Sequence, residues 1–160
     1  MLSPRVLATL ILVTALLICH PDKAKAQANP EGGKNFGLGI IIGEPTGLSI
    51  KSWNGNRSAF SIGAAWSLSE DEALQLNADF QLHSWFENIE IGKLAFYYGI
   101  GGRVIFTDDP KIGARVPLGL NYIFGTLPFD LFVEATPILD FTPDVKLAGN
   151  GGVGIRYYFN

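Results

Sequence analysis

The sequence predicts an all-β protein, an eight-stranded antiparallel up-and-down transmembrane β-barrel that follows a cleaved signal peptide. An apolar N-terminal run has the length of an export signal and is too short for a membrane helix. The rest of the chain alternates apolar and polar residues with the period of two that is typical of half-buried strands. The charged fraction of 17 % is low, and 19 glycines are many, for a soluble domain of 160 residues.

The first 28 residues have the parts of a secretory signal peptide. A short basic region, Met1–Arg5, precedes an unbroken apolar run, Val6–Cys19. Small residues at alternate positions follow this run, so we expect cleavage after Ala26 or Ala28. Residues 29–160 then form a single barrel domain.

The lone cysteine of the chain, Cys19, offers an alternative, a lipoprotein anchored through its thiol. A lipobox needs a small residue before the cysteine, and Ile18 does not fit. If Cys19 leaves with the signal, the mature domain has no disulfide, thiol nucleophile or cysteine-based metal site. No later apolar run approaches the about 18 residues of a membrane helix, so a membrane-inserted chain would have to be a closed barrel.

The segment 72–83 is the clearest strand. Leu76 and Phe80 belong to its apolar face, and Asn77 and Asp79 belong to its polar face. The same pattern, with turn residues between the segments, predicts eight strands. They span residues 35–43, 47–53, 57–67, 72–83, 93–106, 111–124, 129–139 and 147–159. Eight strands of about ten residues with short turns match the smallest common transmembrane barrel.

Two prolines lie inside the predicted sixth and seventh strands, where a closed barrel has no free edge to accept a missing N–H. If the turn is Gly125–Pro128, Pro117 lies opposite Thr136 and next to Pro137. We therefore expect a bulge or a weakly laddered patch between these strands. The alternative is that one proline ends its strand.

Alternation alone does not show which face of a barrel meets water, and a secreted soluble barrel of the lipocalin type, binding an apolar ligand, is the alternative. The apolar face has almost no polar interruption, and the other face mixes glycine with a few charges. Such a face suits a narrow lumen, so we expect Leu76 and Phe80 to face lipid and Asn77 and Asp79 to face the lumen. The predicted lumen charges are Lys51, Asp79, Arg103, Arg115, Glu134 and Arg156.

These charges predict a structural network. We expect the three arginines to pair with Glu134 and Asp79 and to plug the lumen, because an unpaired buried charge is costly. Removing Glu134 should then destabilise the protein strongly. A narrow ion path along the same charges is the alternative.

Aromatic residues gather at the end of the predicted barrel that carries the termini, as in an interfacial girdle. They are Phe36, Trp53, Trp85, Phe86, Tyr122, Phe124, Phe129, Tyr157 and Phe159. The chain closes on Gly154, Tyr157 and Phe159, a spacing that resembles the signal recognised by the outer-membrane assembly machinery. It departs from that signal in ending on Asn160.

Four segments together with this aromatic end resemble a family of small uncharacterised bacterial outer-membrane β-barrel proteins of the OmpA/OmpX-type architecture. The segments are Phe36–Ser49, Tyr98–Arg103, Arg115–Tyr122 and Val133–Asp144. The resemblance covers nearly all of the mature chain. It implies the cell outer membrane of a Gram-negative bacterium as location, and it implies no established activity and no catalytic residues.

The acidic turns on the side away from the termini predict contacts with the envelope. Divalent cations there could bridge carboxylates to anionic lipopolysaccharide. The residues are Glu44, Glu70, Asp71, Glu72, Asp108, Asp109, Asp140 and Asp144. We predict a monomer whose partners are outer-membrane lipid, lipopolysaccharide and, during biogenesis, the barrel assembly machinery.

Few residues of the mature chain suit catalysis. The net charge of −3 without a basic patch argues against nucleic acid as a partner, and we expect no cofactor. His83 is the only histidine after residue 28, which excludes a histidine-rich metal site. A lipid-modifying hydrolase built on His83, Ser84 and either Glu134 or Asp79 is a further alternative. Adjacent strand residues point to opposite faces, however, so we predict a hydrogen-bonding His83 and no enzyme.

Overall fold

The computed structural model describes residues 35–66, 73–87 and 89–159. All strands in this part of the chain belong to one antiparallel sheet, which confirms the all-β prediction. They are β1 (Phe36–Glu44), β2 (Thr46–Asn54), β3 (Ser58–Trp66), β4 (Leu74–Trp85), β5 (Lys93–Phe106), β6 (Lys111–Arg115), β7 (Leu118–Ile123), β8 (Phe129–Asp140) and β9 (Lys146–Phe159). The described residues contain no helix with the length and apolarity needed to cross a membrane. The predicted signal peptide lies outside the described residues.

The sheet closes into a ring of eight strand positions. β1 pairs with both β2 and β9, β4 pairs with β5, and β6 and β7 share the position between β5 and β8. Following the paired residues once round the ring from Leu38 leads to Ile50, Ile62, Ala78, Gly102, Ala114, Leu139 and Leu147. Leu38 itself pairs with Tyr157, ten residues further along β9 than Leu147. This stagger means that the strands are tilted against the ring axis, as closure of a sheet requires.

Seven of the eight predicted strands agree with the observed bounds to within two residues. The exception is the predicted strand 111–124, which is divided into β6 and β7 by Val116 and Pro117. Arg115 pairs with Ile138 and Leu118 pairs with Ala135, so Pro117 falls opposite Thr136, as predicted. Because the register is the same on both sides of the break, no residue is inserted, and the expectation of a bulge is wrong. The alternative, a strand that ends at a proline, is met in part, since β6 ends at Arg115 and β7 begins directly after Pro117.

The two prolines weaken two different ladders. The backbone N–H of Gly99 donates to the carbonyl of Pro117 at 2.9 Å, and that of Val116 donates to the carbonyl of Pro137 at 3.0 Å. Neither proline has an N–H to return the second bond of its pair. The weakly laddered patch therefore extends over both sides of the β6–β7 position, instead of lying between the sixth and seventh predicted strands alone.

Hydrogen exchange tests this patch. The amides of Gly99 and Val116 are expected to exchange faster than those of Asp79 and Gln81 in β4. Gly99 and Val116 are each opposite a proline, so their residue pairs have one backbone hydrogen bond instead of two. Exchange followed by NMR in detergent micelles measures the difference. Equal protection of all four amides would show that the ladder is effectively intact.

The two faces of the ring have opposite chemistry. In β4, Phe80 points outward and is 36 % exposed, whereas Asp79 points inward and is 4 % exposed. Leu76 shares the outward face and Asn77 the inward face, so the inward and outward assignments are correct. Away from the strand ends, no described residue of the outward face is charged. The middle of the ring thus carries its charges inside, and most of the large apolar side chains lie outside.

We call the end that carries Phe36 and Phe159 the near end, and the opposite end the far end. Outward-facing aromatic rings form a belt at the near end. The centroids of neighbouring rings in this belt are 4.6–5.1 Å apart. Its members are Phe36, Tyr122, Phe124, Phe129, Tyr157 and Phe159. The prediction was wrong for Trp53, which faces the interior at 5 % exposure, and for Trp85, which packs against it. Trp53 shares the inward face of β2 with Lys51 because the two residues are two positions apart.

Candidate functional site

The inward side chains fill the ring and form what we call the polar interior. All six charged residues predicted for the lumen point into it. Glu134 has a side chain 11 % exposed, and the other five residues are buried. The predicted set is therefore brought together in one place. Arg115 pairs with both predicted carboxylates, whereas Arg103 and Arg156 have other partners.

Arg115 forms ion pairs with two carboxylates. Its Nε lies 2.9 Å from Asp79 Oδ1, and its Nη2 lies 2.7 Å from Glu134 Oε1. The hydroxyl of Tyr97 donates to Glu134 Oε2 at 2.8 Å, and Thr136 donates to the other oxygen of Glu134 at 2.9 Å. Both carboxylates of this cluster are thus paired with Arg115, and Glu134 also accepts hydrogen bonds at both of its oxygens, which offsets the cost of burying its charge.

Arg103 pairs with Asp140, not with Glu134 or Asp79 as predicted. The guanidinium donates to both carboxylate oxygens of Asp140, at 3.0 and 2.6 Å, and Nη1 donates to Gln75 and Asn150. Asp140 was predicted as a turn residue, but it is the last residue of β8 and is 4 % exposed. It shares the inward face of β8 with Glu134, since the two residues are six positions apart, an even number.

Arg156 pairs with Asp130, which the sequence analysis missed. Its Nε donates to the carboxylate at 3.0 Å, and the Tyr158 hydroxyl donates to the same carboxylate at 2.7 Å. The guanidinium also lies over the ring of Phe132, 3.9 Å from its centroid. The predicted pairing of Arg156 with Glu134 or Asp79 is wrong. Asp130 and Glu134 are four positions apart in one strand, and this even spacing could have predicted that both face inward.

Glycines on intervening strands allow ions two strands apart to meet. Gly113 pairs with both Arg103 and Asp140, and Gly101 pairs with both Asp79 and Arg115. A Cβ atom at either glycine would collide with the carboxylate oxygen of its ion pair. The arginines therefore reach across strands that present no side chain, which is the physical role of glycine in this interior.

Gly113→Val is expected to destabilise the fold by about 1–3 kcal/mol, because the new side chain needs the space of the Asp140 carboxylate. Gly102→Val is the matched control. Gly102 precedes Arg103, the residue of β5 that pairs with Gly113, and it faces outward. The nearest atom to its Cβ position is 3.6 Å away. Urea unfolding of both variants in micelles measures the difference. Equal stability of the two variants would contradict the role assigned to Gly113.

Lys51 is a cation of the polar interior that pairs with no carboxylate of the described residues. Its Nζ lies 2.7 Å from His83 Nε2 and 3.4 Å from Asn121 Oδ1, and over the rings of Trp53 and Tyr97 at 4.6 and 5.0 Å from their centroids. Among the described residues, no carboxylate lies within ion-pair distance of it. His83 is thus an interior hydrogen-bonding residue, the role predicted for it.

The two mouths of the ring differ. At the near end, Trp53, Ala59, Ile123 and Tyr158 form a buried apolar cluster, against which Trp85 packs. Towards the far end, polar side chains such as Asp79, Arg115 and Glu134 line a cavity of about 40 Å³. A cavity of this size accommodates a few water molecules. The interior is therefore closed at the near end and has room for water towards the far end.

His83 and Ser84, the residues considered for a hydrolase, lie on opposite faces of the sheet. His83 points inward to Lys51, and Ser84 is exposed on the opposite face of β4. Among the described residues, no three histidine, cysteine or acidic side chains are grouped as metal ligands. Glu44, Asp108, Asp109 and Asp144 are exposed at the far end, as expected for turns, and residues 70–72 lie outside the described residues.

The predicted assembly signal lies at the end of β9. Tyr157 and Phe159 face outward in the aromatic belt, and Gly154 faces inward, where a Cβ atom would collide with the ring of Phe132.

The comparisons with known proteins add no relative: no protein-family model, curated protein or solved structure matches this chain. The resemblance to small outer-membrane barrels therefore stays a prediction.

Proposed function

We propose that this protein is an outer-membrane β-barrel with a structural or envelope-interaction role and a lumen closed by its own side chains. The observation that carries the proposal is the arrangement of charge and apolar surface. Ile62 and Ile100 at mid-strand are 51 % and 66 % exposed, while Lys51, Arg115 and Arg156 are buried. A soluble closed sheet would have the reverse arrangement, because water solvates charged side chains and lipid does not.

The contents of the interior argue against the two principal alternatives. A soluble carrier of an apolar ligand needs a large apolar cavity, but the cavity described above is small, and the ions Asp79, Arg115 and Glu134 contribute to its lining beside apolar residues such as Leu48. An ion path needs an open lumen, but the near mouth is closed by Trp53 and Tyr158. A filled interior supports a structural role.

The proposed location and biogenesis rest on two features of the sequence. The proposed signal peptide would deliver the chain to the periplasm, and the C-terminal residues Gly154, Tyr157 and Phe159 would present it to the barrel assembly machinery. Lipid would then cover the outward face, with the aromatic belt at one interface. The exposed acidic turns at the far end would face lipopolysaccharide through bridging divalent cations.

Fractionation with protease shaving tests the proposal. Expressed in a Gram-negative host, the protein is expected in the outer-membrane fraction and is expected to migrate differently on gels before and after heating. Protease added to intact cells should cut only at the far-end turns. Recovery in the periplasm or the medium, without heat-modifiable migration, would favour the soluble barrel.

A further inference from the structure

The apolar part of the outward face is shorter on one side of the ring than on the other. On β5 it covers residues 96–106 and on β8 residues 129–139, and no serine, threonine, amide or charged side chain faces outward there. Ten positions of a strand tilted by about 40° rise about 25 Å along the ring axis, the height of the apolar band of membrane barrels. On β1 the apolar part covers only residues 36–42, and on β2 only residues 48–50. We call β1 and β2 the short side.

Both ends of the short side are polar. At the near end, Ser52 and Asn54 are exposed on the outward face of β2. At the far end, β1 and β2 are joined at Pro45, next to the exposed Glu44. The backbone of a turn and a carboxylate are unstable in hydrocarbon, since lipid tails offer them no hydrogen bonds. The hydrocarbon beside the short side therefore has to end between these two polar ends.

The stagger of the ring places the far end of the short side below that of β5. The four pairings from Leu38 to Gly102 are half of the ring, so they advance about five residue positions towards the far end. Phe106 lies four positions beyond Gly102, whereas Ile42 lies four positions beyond Leu38. The apolar face of β5 thus reaches about five positions, or about 12 Å along the axis, further than that of β1.

The pairing of β9 gives an independent measure of the same level. β1 ends opposite Gly151, and residues 146–150 of β9 have no described strand on that side. Unpaired backbone groups cannot lie in hydrocarbon. Beside β1 the hydrocarbon therefore has to end near Gly151, although β8 and β9 stay paired as far as Asp140 and Lys146.

A tilt of the whole ring does not remove this difference. Tilting lowers one side against the other, but it moves both ends of a strand in the same direction, and both ends of β2 are polar. The middle of the short side is apolar and exposed, with Ile40 at 47 % and Ile42 at 66 %. Such a surface suits hydrocarbon, but only a layer of about 15 Å, the rise of six tilted positions.

We propose that the short side thins the membrane. Beside β1 and β2, the head groups of the far leaflet would reach the β1–β2 turn, and the hydrocarbon would be about 10 Å thinner than beside β5 and β8. Thinning is a usual response of a bilayer to an apolar surface that is too short for it. The partner of the short side is thus the lipid bilayer at reduced thickness. The proposal deepens the membrane role proposed above and rests on it.

Two outward residues allow a matched test by spin labelling. Ile42 and Ile100 are both 66 % exposed. Ile100 is four pairings away from Phe36 and hence about five positions above it, and Ile42 is six positions above Phe36, so the two lie at nearly the same height. Nitroxide labels are placed on Ile42→Cys and Ile100→Cys in a Cys19→Ser chain. We expect the label at position 42 to lie about 10 Å closer to the head groups than the label at position 100.

A third label, on Phe106→Cys, marks the far limit of the apolar face of β5. It lies about 12 Å further along the axis than Ile42, yet the proposal places both labels at the same depth, next to the head groups. Power saturation with oxygen and a water-soluble nickel complex measures the three depths in dioleoylphosphatidylcholine vesicles. A label at position 42 that is as deep as the one at position 100, and deeper than the one at position 106, would overturn the proposal.

Contact with protein is distinguished from contact with lipid by the same label. If neither oxygen nor the nickel complex reaches position 42, or if the cysteine introduced there forms cross-linked dimers, protein covers the short side and the proposal is overturned.

Flotation with the vesicles, measured first, separates this proposal from the one on which it rests. A protein that does not float contradicts the membrane location and, with it, the thinning. A protein that floats with labels of equal depth at positions 42 and 100 overturns the thinning alone.

Discussion

Asp130→Ala is expected to lower the free energy of unfolding by about 3–5 kcal/mol, the effect of removing one partner of a buried ion pair. Asp130 has no exposed surface and is the carboxylate that pairs with Arg156, which is 2 % exposed. Without it, the guanidinium stays buried with no opposite charge beside it, and the hydroxyl of Tyr158 loses its acceptor. Urea unfolding in detergent micelles, followed by gel migration, measures the loss.

Two variants serve as controls for Asp130. Asp130→Asn keeps an oxygen acceptor for Arg156 and Tyr158, so we expect a smaller loss of stability than with alanine. Glu134→Ala should also cost less, about 1–3 kcal/mol, because Arg115 retains Asp79. This loss of stability is smaller than the strong destabilisation that the sequence analysis predicted for removal of Glu134. An Asp130→Ala protein as stable as Glu134→Ala would contradict the view that Arg156 depends on a single carboxylate.

The strands and the two faces could be predicted because alternation with a period of two depends only on neighbours in sequence. Once residues 72–83 are a strand, Asp79 and Phe80 must point to opposite faces. Short turns also determine the register of a hairpin, which is why the pairing of Pro117 with Thr136 was correct. The same reasoning applied to 129–139 would have placed Asp130 on the inward face with Glu134.

Contacts between strands that are not adjacent could be predicted only in part: Arg115 meets Asp79 across β5 as expected, but the partner of Arg103 was wrong. Arg103 meets Asp140 because β5 and β8 both pair with β6, and because the residue between them is Gly113. That meeting depends on the register of two ladders. The contact of Lys51 with His83 likewise joins β2 to β4 across β3. Alternation identifies inward residues, but only the register identifies their partners.

The point at which β1 and β9 stop pairing depends on unequal strand lengths. The sequence predicted that β1 ends near residue 43 and that the last strand begins near residue 147, but the pattern does not say where the two strands stop pairing. The stagger of the ring decides this, since it places Gly151, not Leu147, opposite the end of β1. A register of this kind is a property of closure and is therefore absent from any single segment.

Ile100→Arg is expected to lower the free energy of unfolding from lipid vesicles by about 2–4 kcal/mol, the cost of an arginine on the lipid face near the bilayer midplane. Ile100 lies at mid-strand in β5 and is 66 % exposed, so its replacement removes little packing within the protein. The charge would instead have to leave water for hydrocarbon. Urea unfolding from phosphatidylcholine vesicles measures the cost.

Ser52→Arg is the matched control for Ile100→Arg, because Ser52 is also exposed on the outward face but lies at the near end, where β2 pairs with Phe36 at the start of β1. At the interface an arginine on the outward face costs about 0–1 kcal/mol. The membrane arrangement therefore predicts a large loss at position 100 and a small one at position 52. If the outward face instead met water, both substitutions would have little effect, and equal stability of the two variants would contradict the proposed function.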